Sequence, residues 1–180
     1  MSLRDIYKDK IANELVKDLG LTNLMQAPKL SKIVINAGIG PFRESKEAVD
    51  SFVEELSAIA GQKPIASSAK KSEAGFKIRQ GDVVGYSVTL RDARMWAFFE
   101  KFVNIVMPRV RDFNGLSLAS FDGSGNYSVG IKEHTVFPEV NPNKVKGIRS
   151  IQVTFCIKNG NKQKSTALLK KLGMPFKKEA

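Results

Sequence analysis

Residues able to make or break bonds are scarce in this chain. His134 is the single histidine and Cys156 the single cysteine of 180 residues. Together they exclude an intrachain disulfide, a CxxC redox pair and a Cys/His zinc site. Glu133 stands beside His134, but no nucleophile or ligand set accompanies the pair, so His134 reads as a surface or hinge residue before the turn at Val136 to Glu139. Asn36-Ala-Gly-Ile-Gly40 places a GxG after a strand and before a helix. Arg43 occupies the place of the third glycine that a dinucleotide fingerprint needs, and no Walker lysine follows. Gly38 and Gly40 therefore read as a strand end where the backbone turns tightly. The expectation is a protein with no catalytic residues, no cofactor and no metal.

The chemistry present in quantity is positive charge. Lys and Arg number 29 against 18 Asp and Glu, a net charge of +11, and the pI is about 9.8. The excess is uneven: residues 1–90 carry 13 basic and 11 acidic side chains, residues 91–180 carry 16 and 7. From Asn141 onward ten Lys and Arg face Glu179 alone. Such an excess implies a polyanionic partner, nucleic acid or an anionic membrane surface. The cations sit on several elements rather than on one amphipathic helix, which disfavours the membrane. The first ten residues are charged throughout and carry no apolar signal segment. The longest apolar stretch, Met95 to Met107, is interrupted by Glu100, Lys101 and Asn104 and is too short to span a bilayer. A cytosolic protein is expected.

Two stretches read as functional loops. Ala69 to Gly81 contains Lys70, Lys71, Lys77 and Arg79 against Glu73, with Ser72, Gly75 and Phe76 between them. A connection of this length inside a compact domain is usually functional or disordered, and cations without acidic neighbours suit a phosphate backbone. This loop, about residues 69–82, is expected to be mobile in the free protein. The second stretch, Asp112 to Asn126, is rich in turn residues.

The elements that must position these residues follow from periodicity. Leu3, Ile6, Tyr7, Ile11, Leu15 and Leu19 recur at helical spacing between a start at Ser2 and a stop at Gly20. A second helix begins near Ser45, carries Val49, Phe52, Val53, Leu56 and Ile59, and ends before Gly61. A third takes Asp92 as N-cap, presents Met95, Trp96, Phe99, Phe102, Val103 and Val106, and stops near Pro108. A fourth runs from about Gln163 to Leu172, closed by Gly173 and Pro175.

Strands are expected at Leu30–Ala37, near Pro64–Ser67, at Val83–Leu90, Tyr127–Lys132 and Ile151–Lys158. In four of them apolar residues alternate with small hydroxyls, amides and lysines: Ile33 and Ile35 oppose Lys32 and Asn36, and Val88 and Leu90 oppose Ser87 and Thr89. Val129 and Ile131 oppose Ser128 and Lys132, and Val153 and Phe155 oppose Gln152 and Thr154. The pattern predicts an α+β single domain over residues 1–180: a mostly antiparallel sheet of about five strands, helices on one side, an open polar face on the other. Hydroxyls and amides on such a face can meet phosphates, base edges and 2′-hydroxyls. The face has no aromatic pair for stacking unpaired bases, so a folded RNA shape is the expected target.

The segments Lys32-Ile-Val-Ile-Asn36-x-Gly-x-Gly40, Gly61-Gln-Lys-Pro64, Lys70-Lys-Ser-x-Ala-Gly-Phe-Lys-Ile-Arg79-x-Gly81 and Val88-Thr-Leu-Arg91 occur in order. They are followed by Phe121-Asp-Gly-x-Gly-Asn-Tyr127, Gly130-Ile-Lys-Glu133, Phe137-Pro-Glu139 and Leu168-Leu-x-x-Leu-Gly-Met-Pro-Phe176. Over nearly its whole length the chain thereby resembles the family of bacterial large-subunit ribosomal protein five, the 5S ribosomal RNA binder of the central protuberance. The resemblance implies a structural, non-catalytic protein that holds 5S ribosomal RNA and helps attach it to the large-subunit ribosomal RNA. It implies 5S contacts at Lys32, Asn36, Gln62, Ser87, Thr89 and Arg91. It also implies contact with peptidyl-site transfer RNA through the loop carrying Lys70, Lys71, Ser72, Gly75, Phe76, Lys77 and Arg79. A further surface would meet small-subunit ribosomal protein thirteen, with other central-protuberance proteins nearby and no homo-oligomer. Glu73 and the basic segment Lys158-Asn-Gly-Asn-Lys-Gln-Lys164 depart from the family pattern. A non-ribosomal RNA-assembly factor and a nucleotide enzyme centred on Gly38 and Gly40 are the competing readings.

Overall fold

The structure is a computed structural model that describes residues 3–142, 145 and 147–177. The expected helix start at Ser2 lies outside them. In chain order the elements are α1 (Leu3–Ile6), a π-helical turn (Tyr7–Ile11), α2 (Ala12–Asp18), β1 (Lys29–Gly38), α3 (Lys46–Ala60), β2 (Ile65–Ser68) and β3 (Val83–Leu90). Then come α4 (Asp92–Lys101), a second π-helical turn (Phe102–Val106), α5 (Met107–Arg109), β4 (Tyr127–Ile131), β5 (Ile151–Lys158) and α6 (Lys162–Lys171). The five strands form an antiparallel sheet in the order β2-β3-β1-β5-β4. The fold is α+β, as the alternation predicts.

Burial follows that alternation. Along β5, Ile151, Val153, Phe155 and Ile157 are buried while Gln152 and Lys158 are exposed and Thr154 and Cys156 half-buried. In β1, Ile33, Ile35 and Ala37 are buried, Asn36 and Gly38 are exposed, and the pattern slips by one residue between Leu30 and Ile33. Cα partners in β2 and β3 are Ile65 with Ser87 and Ser67 with Gly85.

The chain divides into two compact units, residues 1–33, 90–129 and 154–180 forming one and 34–89 with 130–153 the other. In the first, Phe99 and Phe102 pack edge-on to Phe155 with ring centroids 5.5 and 5.2 Å apart, seating α4 and the π-turn on the buried side of β5. Tyr7 stacks at 5.6 Å on Trp96 and donates its hydroxyl to the Pro28 carbonyl at 3.0 Å. The expected stop at Pro108 is passed by one residue. The Met107 N–H reaches back five residues to the Phe102 carbonyl, and Pro108, which has no N–H to leave unpaired, opens the short α5. The expected cap at Asp92 is corrected: Arg91 is the N-cap, no side chain caps the helix, and Asp92 takes a left-handed φ of 48° as its first residue. Aspartate tolerates that region better than most side chains.

The turn-rich stretch before β4 also belongs to the first unit, and its bonds point inward. Asp122 Oδ1 accepts from the Ser124 and Asn126 N–H groups at 2.9 and 2.7 Å, and Oδ2 accepts from Asn126 Nδ2 at 2.7 Å. These donors, the Asn126 amide first, hold the Asp122 carboxyl below the usual carboxylate range. Asn126 Oδ1 in turn accepts from the Ile157 N–H at 3.0 Å, tying the turn to β5.

In the second unit α3 starts on Ser45, whose hydroxyl accepts from the Ala48 N–H, and ends on Gly61 at a φ of 65°. Its inner stripe buries Phe52, Leu56 and Ile59. The same stripe carries Glu55, which meets His134 Nε2 at 2.9 Å and lies 3.7 Å from Arg149 Nη1. His134 is fully buried, which overturns the surface or hinge reading. Its Nδ1 accepts from the Arg149 N–H at 3.2 Å, so the ring proton sits on Nε2 and is donated to Glu55. The Arg149 guanidinium lies 4.2 Å from the Phe42 ring centre and 5.1 Å from that of Phe52. His134 is a packing residue whose partner comes from a helix 79 positions away.

Gly85 marks the closest approach of β3 to β1: a Cβ there would lie 2.7 Å from the Ala37 carbonyl oxygen. Gly85→Ala forces backbone apart rather than a flexible side chain. It is expected to lose about 1–3 kcal/mol of stability, read as a lower urea midpoint at unchanged slope.

Candidate nucleic-acid interface

The open side of the sheet carries different polar groups in each unit. In the second unit the Ile39 N–H bonds the Val84 carbonyl at 3.1 Å, and Gly85 lies against Ala37 and Gly38. Carried along an antiparallel ladder, this brings Asn36 and Ser87 onto neighbouring positions, with Val34 and Thr89 one pleat further on. Ser87 is itself paired with Ile65. A row of side chains therefore crosses three strands: Ile65, Ser87, Asn36. Asn36 is exposed, Ser87 and Thr89 are half-buried, and none has a side-chain hydrogen-bond partner among the described residues. Gln62, half-buried in the turn between α3 and β2, is already engaged.

In the first unit Lys32 is half-buried and Arg91 exposed, and neither has an ion-pair partner among the described residues. Both act on the Cys156 thiol, which burial pushes up and these two charges pull back. Lys32 on β1 and Cys156 on β5 stand at half-buried strand positions, and Arg91 follows β3 as the N-cap of α4. Ser128 and Thr154 share a hydrogen bond at 3.0 Å and so satisfy each other there. Lys32 and Arg91 are cations left without such a partner among the described residues.

The segment expected as a loop is a hydrogen-bonded hairpin. Ala69 and Asp82 pair at its base, with the Ala69 N–H on the Asp82 carbonyl at 2.8 Å, and Glu73 and Ile78 exchange two bonds near its tip. The Ser72 hydroxyl accepts from the Gln80 N–H at 3.0 Å, and Asp82 Oδ2 accepts from the Arg79 N–H at 2.9 Å. Lys77 adopts a left-handed φ of 52° just after the short helical turn Ala74–Phe76. Phe76 is 75% exposed and is not packed on the body of the protein. Lys70, Lys71, Lys77 and Arg79 are exposed, as is Gly75.

One residue of this hairpin's support is invisible to sequence reasoning. Arg43, noted only for displacing a glycine, donates from Nη2 to the Lys77 carbonyl at 2.7 Å and lies 3.9 Å from Asp82 Oδ2. Nothing in its local pattern signals a partner 34 residues away. Glu55 was legible in principle, since its spacing from Phe52 and Ile59 puts a carboxylate on a buried stripe. Gly38 ends β1 and Gly40 opens a short helical turn, neither with a positive φ.

The fold and this face define a basic α+β protein whose open sheet suits RNA. Residues 23–79 match the family described as ribosomal protein L5, and residues 83–176 match the model of that ribosomal family's C-terminus. The large ribosomal subunit protein uL5 of Anaeromyxobacter sp. (strain Fw109-5) is 49% identical over 175 residues, covering 97% of each chain. That of Geobacter sulfurreducens is 48% identical over 97% of this chain and 98% of its own, and that of Synechococcus sp. (strain RCC307) 45% over 98% and 99%. The chain belongs to the ribosomal protein L5 family, which is structural and non-enzymatic.

If the cations on the open side meet phosphates, binding weakens steeply with salt as condensed counterions return. Lys32→Ala is expected to flatten the slope of log affinity against log salt by roughly one unit or less. Titration of RNA at several salt concentrations measures it, and an affinity independent of salt would remove the electrostatic basis of this surface.

Proposed function

We propose that this chain, a structural constituent of the large ribosomal subunit in the cytoplasmic ribosome, holds 5S ribosomal RNA on its open sheet face. The observation that carries the reading is the row of unpartnered polar side chains at Asn36, Ser87 and Thr89 on an exposed, rigid sheet. Water fills those hydrogen bonds in the free protein, and RNA 2′-hydroxyls and phosphates can take its place. Gly38, exposed beside Asn36 with nothing within 4 Å of where a Cβ would stand, leaves room for an RNA backbone to approach. Within the first unit Lys32 and Arg91 are cations suited to 5S RNA phosphates in their own right, and within the second Gln62 contributes from its turn. The 5S RNA so held is attached to the large-subunit ribosomal RNA in the central protuberance. A separate surface bridges to the small-subunit head through ribosomal protein thirteen.

The hairpin has a different task. Among residues 70–81 only Ile78 is even half-buried, so little apolar burial holds the hairpin to its unit. It moves in the free protein and reaches peptidyl-site transfer RNA on the assembled ribosome, Lys70, Lys71, Lys77 and Arg79 meeting its phosphates. Ser72 and Gly75 shape the tip from which Phe76 projects.

Two variants divide these roles. Asn36→Ala with Thr89→Ala is expected to weaken 5S RNA binding by on the order of 1–3 kcal/mol for each hydrogen bond removed, with an unchanged circular dichroism spectrum. Unchanged affinity in the folded double variant would mean that the face is merely solvated. Replacing Lys70, Lys71, Lys77 and Arg79 with Ala should spare the 5S complex and weaken peptidyl-site transfer RNA on assembled ribosomes. If the quadruple variant loses 5S RNA as badly as the sheet variant, the assignment of the hairpin is wrong.

A further inference from the structure

Three lysines lie outside the surface assigned so far: Lys158 at the end of β5, and Lys162 and Lys164 in the first turn of α6. Lys158 and Lys162 are exposed and Lys164 is half-buried. None has an ion-pair partner among the described residues. Their position is unfavourable for the free protein. A helix N-terminus carries partial positive charge and favours acids; α6 has no acid in its first turn and two cations there instead.

The turn that carries them is held in one conformation. Asn159 has a left-handed φ of 60° and donates from Nδ2 to the Met25 carbonyl at 2.7 Å. Asn161 Oδ1 accepts from the Lys164 N–H at 2.8 Å. Gly160 lies so close to the buried Ser165 that a Cβ would stand 2.5 Å from its hydroxyl oxygen. The Asn159 bond fixes a second turn alongside, in which Met25 is 77% exposed and its N–H is capped by Asn23 Oδ1 at 2.8 Å. Unpaired cations and a bare thioether are thus presented together on a fixed ridge. The ridge is continuous with the face already described for this unit. Lys158 shares the open side of β5 with Thr154 and Cys156.

We propose that the β5–α6 turn is a second RNA contact of this chain, in which Lys158, Lys162 and Lys164 meet backbone phosphates and Met25 lies against a sugar. The proposal rests on the reading of the open sheet as an RNA surface, and extends that surface past the end of β5. RNA is favoured over an acidic peptide because three cations without ion-pair partners among the described residues dominate the ridge, with only Leu24 and Met25 as exposed large apolar side chains beside them.

The test uses the full chain and a 5S ribosomal RNA transcript, titrated at several salt concentrations. In the Lys158→Gln, Lys162→Gln, Lys164→Gln triple variant, affinity is expected to fall at least about fivefold at roughly 0.1 M salt. The slope against log salt should shrink by roughly two to three units, one per phosphate released. The thermal midpoint should hold or rise, because the first turn of α6 is relieved of two unfavourable charges. Met25→Ser should give a smaller drop, about threefold, at an unchanged slope, as for an apolar contact. Unchanged affinity and slope in the triple variant, while Asn36→Ala with Thr89→Ala weakens binding, overturns this proposal and leaves the sheet reading standing. Failure of the unmodified chain to bind the transcript overturns both.

Discussion

One-sided burial of the sheet is the constraint on which everything else rests. Ile33, Ile35, Val153 and Phe155 are completely removed from water, and each alternates along its strand with a residue that is not. Because side chains on a strand repeat with a period of two, fixing these four inward fixes Lys32, Asn36, Gln152 and Thr154 outward. A slip of one residue would carry a lysine, two amides and a threonine into the core and four apolar side chains into water. The energy of apolar burial therefore enforces the register, and the register sets which polar groups share a face. No separate force is needed to gather these polar groups on one face.

The positive charge of the chain is of two kinds, and only one bears on binding. Arg149 is counted in the basic C-terminal half, yet it is buried against Phe42 and Phe52 with Glu55 nearby. Burial lowers its pKa and Glu55 opposes that shift, so the guanidinium serves packing in its own unit. Lys171 is likewise spoken for, at 2.7 Å from Glu14 and 2.9 Å from Asp18. Lys32, Arg91 and the hairpin's lysines have no such ion pairs among the described residues. An unpaired surface cation keeps its hydration and its counterion atmosphere, and both can be exchanged for phosphate. The net charge points to a polyanion, and the pairing of individual side chains separates the cations already engaged within the protein from those that are not.

What the sequence shows of this fold is what short-range periodicity can carry. The strands, the α3 stripe from Val49 to Ile59 and the closing glycines Gly20, Gly61 and Gly173 all depend on spacings of two to four residues, and all stand in the structure. The misreadings depend on partners far along the chain or on backbone geometry that no spacing encodes. His134 looks like a surface residue until Glu55 arrives from α3. Asp92 looks like a cap, but its left-handed backbone carries it past the geometry a cap requires. The 70–81 stretch reads as a loop because its pairing is made by backbone groups and by Ser72 and Asp82, none of which alternates in hydropathy. The individual contacts on the open face rest on family resemblance, since a free hydroxyl on a sheet has no signature that separates it from a solvated one.

The two parts of the second unit proposed to meet RNA differ in how they are held, and the difference matches their proposed tasks. Asn36, Ser87 and Thr89 stand on central strands whose opposite faces bury Ile35, Val88 and Leu90. Moving them means breaking the core, so their geometry persists with or without RNA, and little ordering entropy opposes binding. The hairpin tip is shaped by its own hydrogen bonds and by Arg43, whose guanidinium reaches both the Lys77 carbonyl and Asp82. That clamp fixes the form of the tip without burying apolar area beneath it, and so permits motion as a body at a small energetic cost. A permanent partner suits the first arrangement. A partner that leaves at every cycle suits the second, because a contact made by screened surface cations on a movable arm is strong enough to find its target and weak enough to release it.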